Sequence, residues 1–70
     1  PQDPVSHLQE IVQNKTKKLP HYETVRSGGD EHSPIFLSTL NVGGTEYSAD
    51  GNSKKEAQKR VAKLALKDLL

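Results

Sequence analysis

The chain contains no cysteine, no methionine and no tryptophan, and only three of its 70 residues are aromatic. Without cysteine there is no disulfide framework, no thiol nucleophile and no cysteine-ligated zinc. This fits a reducing compartment, and we expect an intracellular protein, either cytoplasmic or nuclear. No apolar run is long enough to span a bilayer, so we expect no membrane partner. Three aromatic residues are too few to bind single-stranded nucleic acid by stacking bases on aromatic rings.

The sequence also lacks the patterns of a catalytic or metal centre. It has no phosphate-binding loop, no nucleophile elbow and no His-Glu-x-x-His motif. His7, His21 and His32 fall on different predicted elements, without the spacing of metal ligands. We therefore predict that the chain is not an enzyme in its own right and takes no cofactor, metal ion or small-molecule substrate.

Seventy residues make one small domain with a small core. Hydrophobic residues form 31% of the chain, which is enough for folding. Because the chain begins at Pro1 and has no methionine, we expect residues 1–70 to be a single domain taken from a longer protein.

Positive charge is concentrated at one end of a nearly neutral chain. Residues 53–70 carry six cations and two carboxylates, a net of +4, whereas residues 1–52 have a net of −3. Such asymmetry is expected when one face meets a polyanion. The alternative is an ordinary amphipathic helix whose lysines are solvated.

The basic segment is predicted to begin a helix. Asn52 or Ser53 can cap it, and its first turn carries Lys54 and Lys55. The helix N-terminus adds about half a positive charge, and the two lysines are long cationic arms suited to phosphates. Lysines then recur every four residues beside an apolar face, along a ridge formed by Lys55, Lys59, Lys63 and Lys67.

The remaining patterns predict an α+β fold with the order α-β-β-β-α. The first helix has Asp3 as its cap and Pro4 at its first position, and it fades within residues 14–17. Gly43 and Gly44 form a two-residue hairpin turn. The predicted strands are Tyr22–Val25, Phe36–Val42 and Thr45–Ala49, with a loop over Ser27–Pro34. The simplest architecture packs two helices on one face of a three-stranded antiparallel sheet.

These residues resemble the double-stranded RNA-binding domain family from Pro4 to Leu70. The resemblance lies in several short motifs in the family's order: Pro4-Val5 and Leu8-Gln9-Glu10, Leu19-Pro20-His21-Tyr22, Gly29-Asp30-Glu31-His32 with Phe36 four residues later, and Gly51-Asn52-Ser53-Lys54-Lys55-Glu56-Ala57. Leu8-Gln9-Glu10 and the Leu-Pro-x-Tyr segment Leu19–Tyr22 most resemble domains of partner proteins in small-RNA processing, and hence in RNA silencing.

The resemblance implies that the partner is double-stranded RNA, recognised by shape with little sequence specificity. A domain of this family spans two minor grooves, where it contacts 2′-hydroxyls, and the phosphates of the major groove between them. By the family pattern, one minor groove would meet Ser6, Gln9 and Glu10, and the other would meet His32. The phosphates would meet residues at the start of the second helix, namely Ser53, Lys54, Lys55, Gln58 and Lys59.

Two departures from the family pattern bear on affinity. Gln58 stands where a third lysine is usual, and a glutamine releases no counterion when it bonds a phosphate. Asp30 and Glu31 put negative charge beside His32. We therefore predict a binder of moderate affinity. A protein-interaction or dimerisation module on the same fold remains the alternative, and other protein chains could also be partners through the parent protein.

Overall fold

The computed structural model describes residues 3–70 as two helices and three strands in the order α1, β1, β2, β3, α2. The strands form one antiparallel sheet with β2 in the centre, and both helices pack on one of its faces. The predicted fold class is therefore confirmed. The elements are α1 Pro4–Thr16, β1 His21–Gly29, β2 Pro34–Val42, β3 Thr45–Gly51 and α2 Lys54–Leu69.

Helix α1 begins and ends at defined caps. The carboxylate of Asp3 accepts a hydrogen bond from the Ser6 amide at 3.3 Å, and Pro4 occupies the first turn as predicted. The helix ends at Thr16 because Lys17 adopts the left-handed conformation with φ 61°, and its amide donates to the Gln13 carbonyl. The caps leave one apolar stripe, centred on the buried Leu8 and Val12, to face the core.

The register of the sheet decides which strand residues meet the helices. Leu40 in β2 lies between Tyr22 in β1 and Tyr47 in β3, and all three side chains belong to the core side. Alternate residues point to the other face, which is open in residues 3–70. The hydroxyl of Tyr47 also donates to a carboxylate oxygen of Asp68 at 2.6 Å, which joins β3 to α2 and raises the pKa of Tyr47.

The predicted strand bounds were too short. Strand β1 continues to Gly29, with a bulge between Arg26 and Gly28, because these residues still pair with β2. Strand β2 already begins at Pro34, a position where a missing N–H is tolerated. Strand β3 continues to Gly51, so that Asp50 and Gly51 pair with β2 before the chain turns. The loop between β1 and β2 is therefore only residues 30–33. The predicted hairpin turn is confirmed, with positive φ angles at both of its glycines.

Helix α2 forms most of the core together with the central strand. Its small buried residues allow a close approach to the sheet, and the backbone of Gly51 passes directly beneath the first turn of the helix. A Cβ atom on Gly51 would lie 2.7 Å from the Ala57 amide nitrogen, so only glycine fits there. The core consists of Leu8, Val12, Leu40, Val42, Val61, Ala62, Ala65 and Leu66. None of the helices in residues 3–70 is long and apolar enough to cross a membrane.

Candidate nucleic-acid interface

The start of α2 presents two exposed lysines beside a capped helix N-terminus. Ser53, one of the two predicted caps, has its hydroxyl oxygen 3.0 Å from the Glu56 amide and accepts a hydrogen bond from it. Lys54 and Lys55 follow, and both side chains are exposed. The ion pairs found within residues 3–70 involve neither lysine. Both ammonium groups are therefore available to an anion, next to the positive end of the helix.

Arg60 pairs with the carboxylates that lie closest in sequence to the two lysines. One guanidinium nitrogen of Arg60 is 2.9 Å from the Glu56 carboxylate, and the other is 3.9 Å from the Asp50 carboxylate. The same guanidinium donates to the Asp50 carbonyl at 3.3 Å. The positive potential at the start of α2 thus depends on the lysines, with Arg60 offsetting the neighbouring acids. The four-residue spacing of Glu56 and Arg60 is a sequence signal that could have predicted this pair.

The loop between β1 and β2 is held by two side chains that precede its tip, those of Arg26 and Asp30. The carboxylate of Asp30 accepts from the amides of His32 and Ser33, at 3.1 and 2.8 Å. The Arg26 guanidinium donates to three successive carbonyls, of which the Asp30 carbonyl is closest at 3.0 Å. His32 is exposed at the tip of this braced loop. Asp30, which the sequence suggested was unfavourable to an anionic ligand, therefore shapes the loop that carries His32.

A direct hydrogen bond connects this loop to the start of α2. The side-chain amide of Asn52 donates to the Pro34 carbonyl at 3.2 Å. Pro34 is two residues beyond His32, and Asn52 is two residues before Lys54. The structure thus brings two of the three predicted groups, the His32 loop and the lysine pair, to one end of the molecule. Asn52 was predicted only as a possible helix cap, and its tertiary partner had no sequence signal.

The third predicted group lies on α1. Ser6, Gln9 and Glu10 are all exposed, and their spacing of three and four residues puts them on one side of the helix. The opposite side of α1 packs against α2 through Leu8 and Val12. Helix α1 therefore presents these polar groups outward from a fixed position.

Two predicted residues on the second turn of α2 are less exposed. Lys59 and Gln58 are half-buried. The side-chain amide of Gln58 donates to the Thr24 hydroxyl at 3.1 Å, so one of its two N–H groups already has an intramolecular partner. The role of Gln58 in RNA binding stays a prediction. Its side chain is half-buried and bonded to β1, whereas those of Lys54 and Lys55 are exposed.

Within residues 3–70, no group of three or more histidine or carboxylate side chains could hold a metal ion.

The sequence pattern of the family called the double-stranded RNA binding motif matches residues 4–69. The chain belongs to this family. Ribonuclease 3 of Chloroflexus aggregans is 42% identical over 67 residues, which cover 96% of this chain and 29% of that protein. Ribonuclease 3 of Campylobacter jejuni is 48% identical over 63 residues, covering 89% of this chain and 28% of that protein. The chain thus spans less than a third of the length of either relative.

Solved structures of double-stranded RNA-binding domains have the same fold. A structure of Arabidopsis HYL1, described with its implications for miRNA processing, superposes with a TM-score of 0.80 at 34% identity and covers 97% of both chains. The second domain of DRB4 gives a TM-score of 0.70 at 37% identity, covering 91% of this chain and 90% of that one. These matches confirm the predicted family, and double-stranded RNA binding is the function of this domain. Nothing in them favours the protein-interaction alternative.

Proposed function

We propose that this double-stranded RNA-binding domain contacts A-form RNA through three groups of side chains. The first is the α1 group, Ser6, Gln9 and Glu10. The second is the loop that carries His32. The third is the start of α2, where Ser53, Lys54, Lys55 and Lys59 lie. Together they would contact two minor grooves and the phosphates between them, which is the recognition mode of this class of domain.

The lysine pair supplies the sequence-independent part of the affinity. Lysine is a flexible point charge, and each lysine that neutralises a phosphate releases condensed counterions. The capped N-terminus of α2 adds exposed N–H groups and a partial positive charge in the same place. Binding through this group depends on salt and not on base sequence.

The α1 and loop groups supply the preference for RNA. The minor groove of A-form RNA is wide and shallow and displays 2′-hydroxyls, which DNA lacks. A carboxylate such as that of Glu10 accepts a hydrogen bond from a 2′-hydroxyl, and the amide of Gln9 both donates and accepts. His32 would reach the second minor groove from the tip of its loop.

One observation carries this proposal. The loop that presents His32 and the helix start that presents Lys54 are joined by the hydrogen bond from Asn52 to the Pro34 carbonyl. This bond supports the proposal because it would hold the proposed minor-groove contact and the proposed phosphate contact at one relative position. Recognition of a helical shape requires such a fixed spacing.

A fluorescence-anisotropy titration tests the proposal. The probes are an RNA duplex of about 20 base pairs, which exceeds the expected footprint of about 16, the same sequence as a DNA duplex, and one RNA strand alone. We expect salt-sensitive binding to the RNA duplex and much weaker binding to the other two. Equal affinity for all three probes would reduce the interface to a general polyanion patch. No binding to any probe would instead favour a protein partner.

Three broader expectations stay predictions. The matched Ribonuclease 3 proteins extend well beyond the shared region, so the activity of any longer protein that contains this domain is open. We propose that this domain supplies duplex binding and no chemistry of its own. We also propose that it acts inside the cell and that other protein chains meet it through a parent protein.

A further inference from the structure

Gln58 is part of a series of hydrogen bonds that connects α2 to the edge strand β1 and the central strand β2. Its side-chain amide donates to the Thr24 hydroxyl oxygen in β1 at 3.1 Å. That oxygen is in turn 3.0 Å from the hydroxyl oxygen of Ser38 in β2. Ser38 is a completely buried polar residue of the core, with 0% exposure. A helix residue in the second turn of α2 is thus linked to the interior of the sheet.

These hydrogen bonds give the buried hydroxyl of Ser38 a partner. A hydroxyl has one proton and two lone pairs, so Thr24 can accept from Gln58 and still bond to Ser38. A buried hydroxyl without a partner is costly, so this connection to Ser38 matters for the fold. The amide proton that Gln58 gives to Thr24 is not available to a phosphate. Lys54 and Lys55, four and three residues earlier, are instead exposed and form none of the ion pairs found in residues 3–70.

The position of Gln58 on α2 relates it directly to Lys54. Residues four apart lie on the same side of a helix, one turn from each other. Three of the five buried residues of α2 are alanines, whose methyl groups interlock with the sheet less than larger side chains do. The bond to Thr24 is directional and, together with the bond from Tyr47 to Asp68, it fixes the rotation of α2 about its axis. Because the radius of a helix with its side chains is about 5–6 Å, a rotation of about 10° moves a side-chain tip by about 1 Å. Displacements of about that size weaken a binding site.

We propose that Gln58 is a positioning residue, which fixes the orientation of α2 through Thr24 and thereby sets the place of Lys54 and Lys55 at the phosphates. It does this in place of the direct phosphate contact that the sequence predicts. The inference rests on the proposed function, since it concerns the same phosphate-binding group.

The test is a double-mutant cycle measured on RNA affinity, with duplex RNA as the probe. The variants are Gln58→Ala, Thr24→Val and the pair together, at a temperature well below their melting points. Thr24→Ser is the matched control because it keeps the hydroxyl. Gln58→Met is a second test because it keeps the length and packing of the side chain. Lys59→Ala removes a neighbouring cation, and its salt dependence serves as the reference for the loss of a direct ionic contact.

The proposal predicts that Gln58→Ala, Gln58→Met and Thr24→Val each weaken binding about three- to tenfold, the equivalent of one net hydrogen bond. The double variant is then no weaker than either single variant, and Thr24→Ser binds like wild type. The salt dependence keeps its slope in the Gln58 variants, whereas Lys59→Ala lowers the slope by about 1. The effect of Lys59→Ala multiplies with that of Thr24→Val.

Three results would overturn the proposal. If Gln58→Ala weakens binding while Thr24→Val does not, or if their effects multiply, Gln58 contacts RNA directly. If neither variant changes affinity, the bond to Thr24 has no part in binding. Failure of the proposed function is a separate outcome, because then wild type itself does not bind duplex RNA.

Discussion

Removal of Lys54 and Lys55 together, as Lys54→Ala with Lys55→Ala, should weaken RNA binding strongly while leaving the fold intact. Both side chains are exposed and form none of the ion pairs found in residues 3–70. The cap that starts α2 belongs to Ser53 and is retained. The change therefore removes two charges and little else.

The magnitude follows from counterion release. Each phosphate contact releases about 0.9 of a counterion on a B-form duplex, which at about 0.15 M salt is worth about 1 kcal/mol, or about fivefold in affinity. Loss of both lysines should therefore weaken binding about 30-fold and lower the slope of log K against log salt by about 1.8. Charge reversal to glutamate adds repulsion and should abolish measurable binding.

The assay is an anisotropy titration at several salt concentrations, with circular dichroism to verify folding. The control is Lys63→Ala with Lys67→Ala, which removes the same charge from exposed positions of the same helix. Lys63 lies nine residues beyond Lys54, or about 14 Å along the helix axis. We expect the control to lose less than half as much affinity and slope. Equal losses in the two double variants, or no loss in the first, would refute the assignment of the phosphate contacts to the start of α2.

Three other contacts of the structure can each be tested by a single substitution. Asp30→Ala should weaken RNA binding at least as much as His32→Ala, because the amides of His32 and Ser33 lose the carboxylate that orders the loop. Tighter binding, caused by the loss of a negative charge, would contradict this. Gly51→Ala should cost about 1–3 kcal/mol of overpacking against Ala57 and so lower the melting temperature by about 4–24 °C. An unchanged melting curve would contradict this. Burial, and secondarily the charge of Asp3, raise the pKa of Tyr22 from 10.0 to about 12, so the folded state keeps a proton that the unfolded state loses. The free energy of unfolding should therefore fall as the pH rises from about 10 to about 12. In thermal melts at about pH 11, Tyr22→Phe should lose less stability than the wild type. Equal losses in the two proteins would contradict the pKa shift.

The Tyr22 prediction has a second physical basis. The hydroxyl oxygen of Tyr22 is buried and has no hydrogen-bond partner among residues 3–70. A buried polar group without a partner costs stability, so its removal in Tyr22→Phe should not destabilise the protein at neutral pH. A clear loss of stability at pH 7 would mean that the hydroxyl has a partner in solution.

Features encoded in a few neighbouring residues were predictable from the sequence. The Asp3-Pro4 start of α1 and the hairpin turn at Gly43-Gly44 depend on local backbone preferences, and both are found where predicted. The strand ends were not predictable in this way. Gly29 looks like a loop residue, yet it pairs with Pro34 because the loop between them is closed by Asp30 and Arg26.

The parts of the site that depend on tertiary contacts had no sequence signal. Exposure of Lys54 and Lys55 followed from the helical pattern, since it is a property of one element. The bond between Gln58 and Thr24 joins residues 34 positions apart, and that between Asn52 and Pro34 joins residues 18 apart. Such pairs depend on how α2 lies on the sheet, which no local pattern encodes.

The three-part interface can be tested directly by an NMR titration of the isotope-labelled domain with an RNA duplex of about 20 base pairs. We expect amide signals to shift in three separate regions: around Ser6–Glu10 on α1, around His32, and around Ser53–Lys59 at the start of α2. Signals from the open sheet face, such as those of Glu23, Thr39 and Glu46, should stay in place. Shifts confined to α2, or shifts on the open face of the sheet, would contradict a three-part interface that reads the shape of the RNA helix.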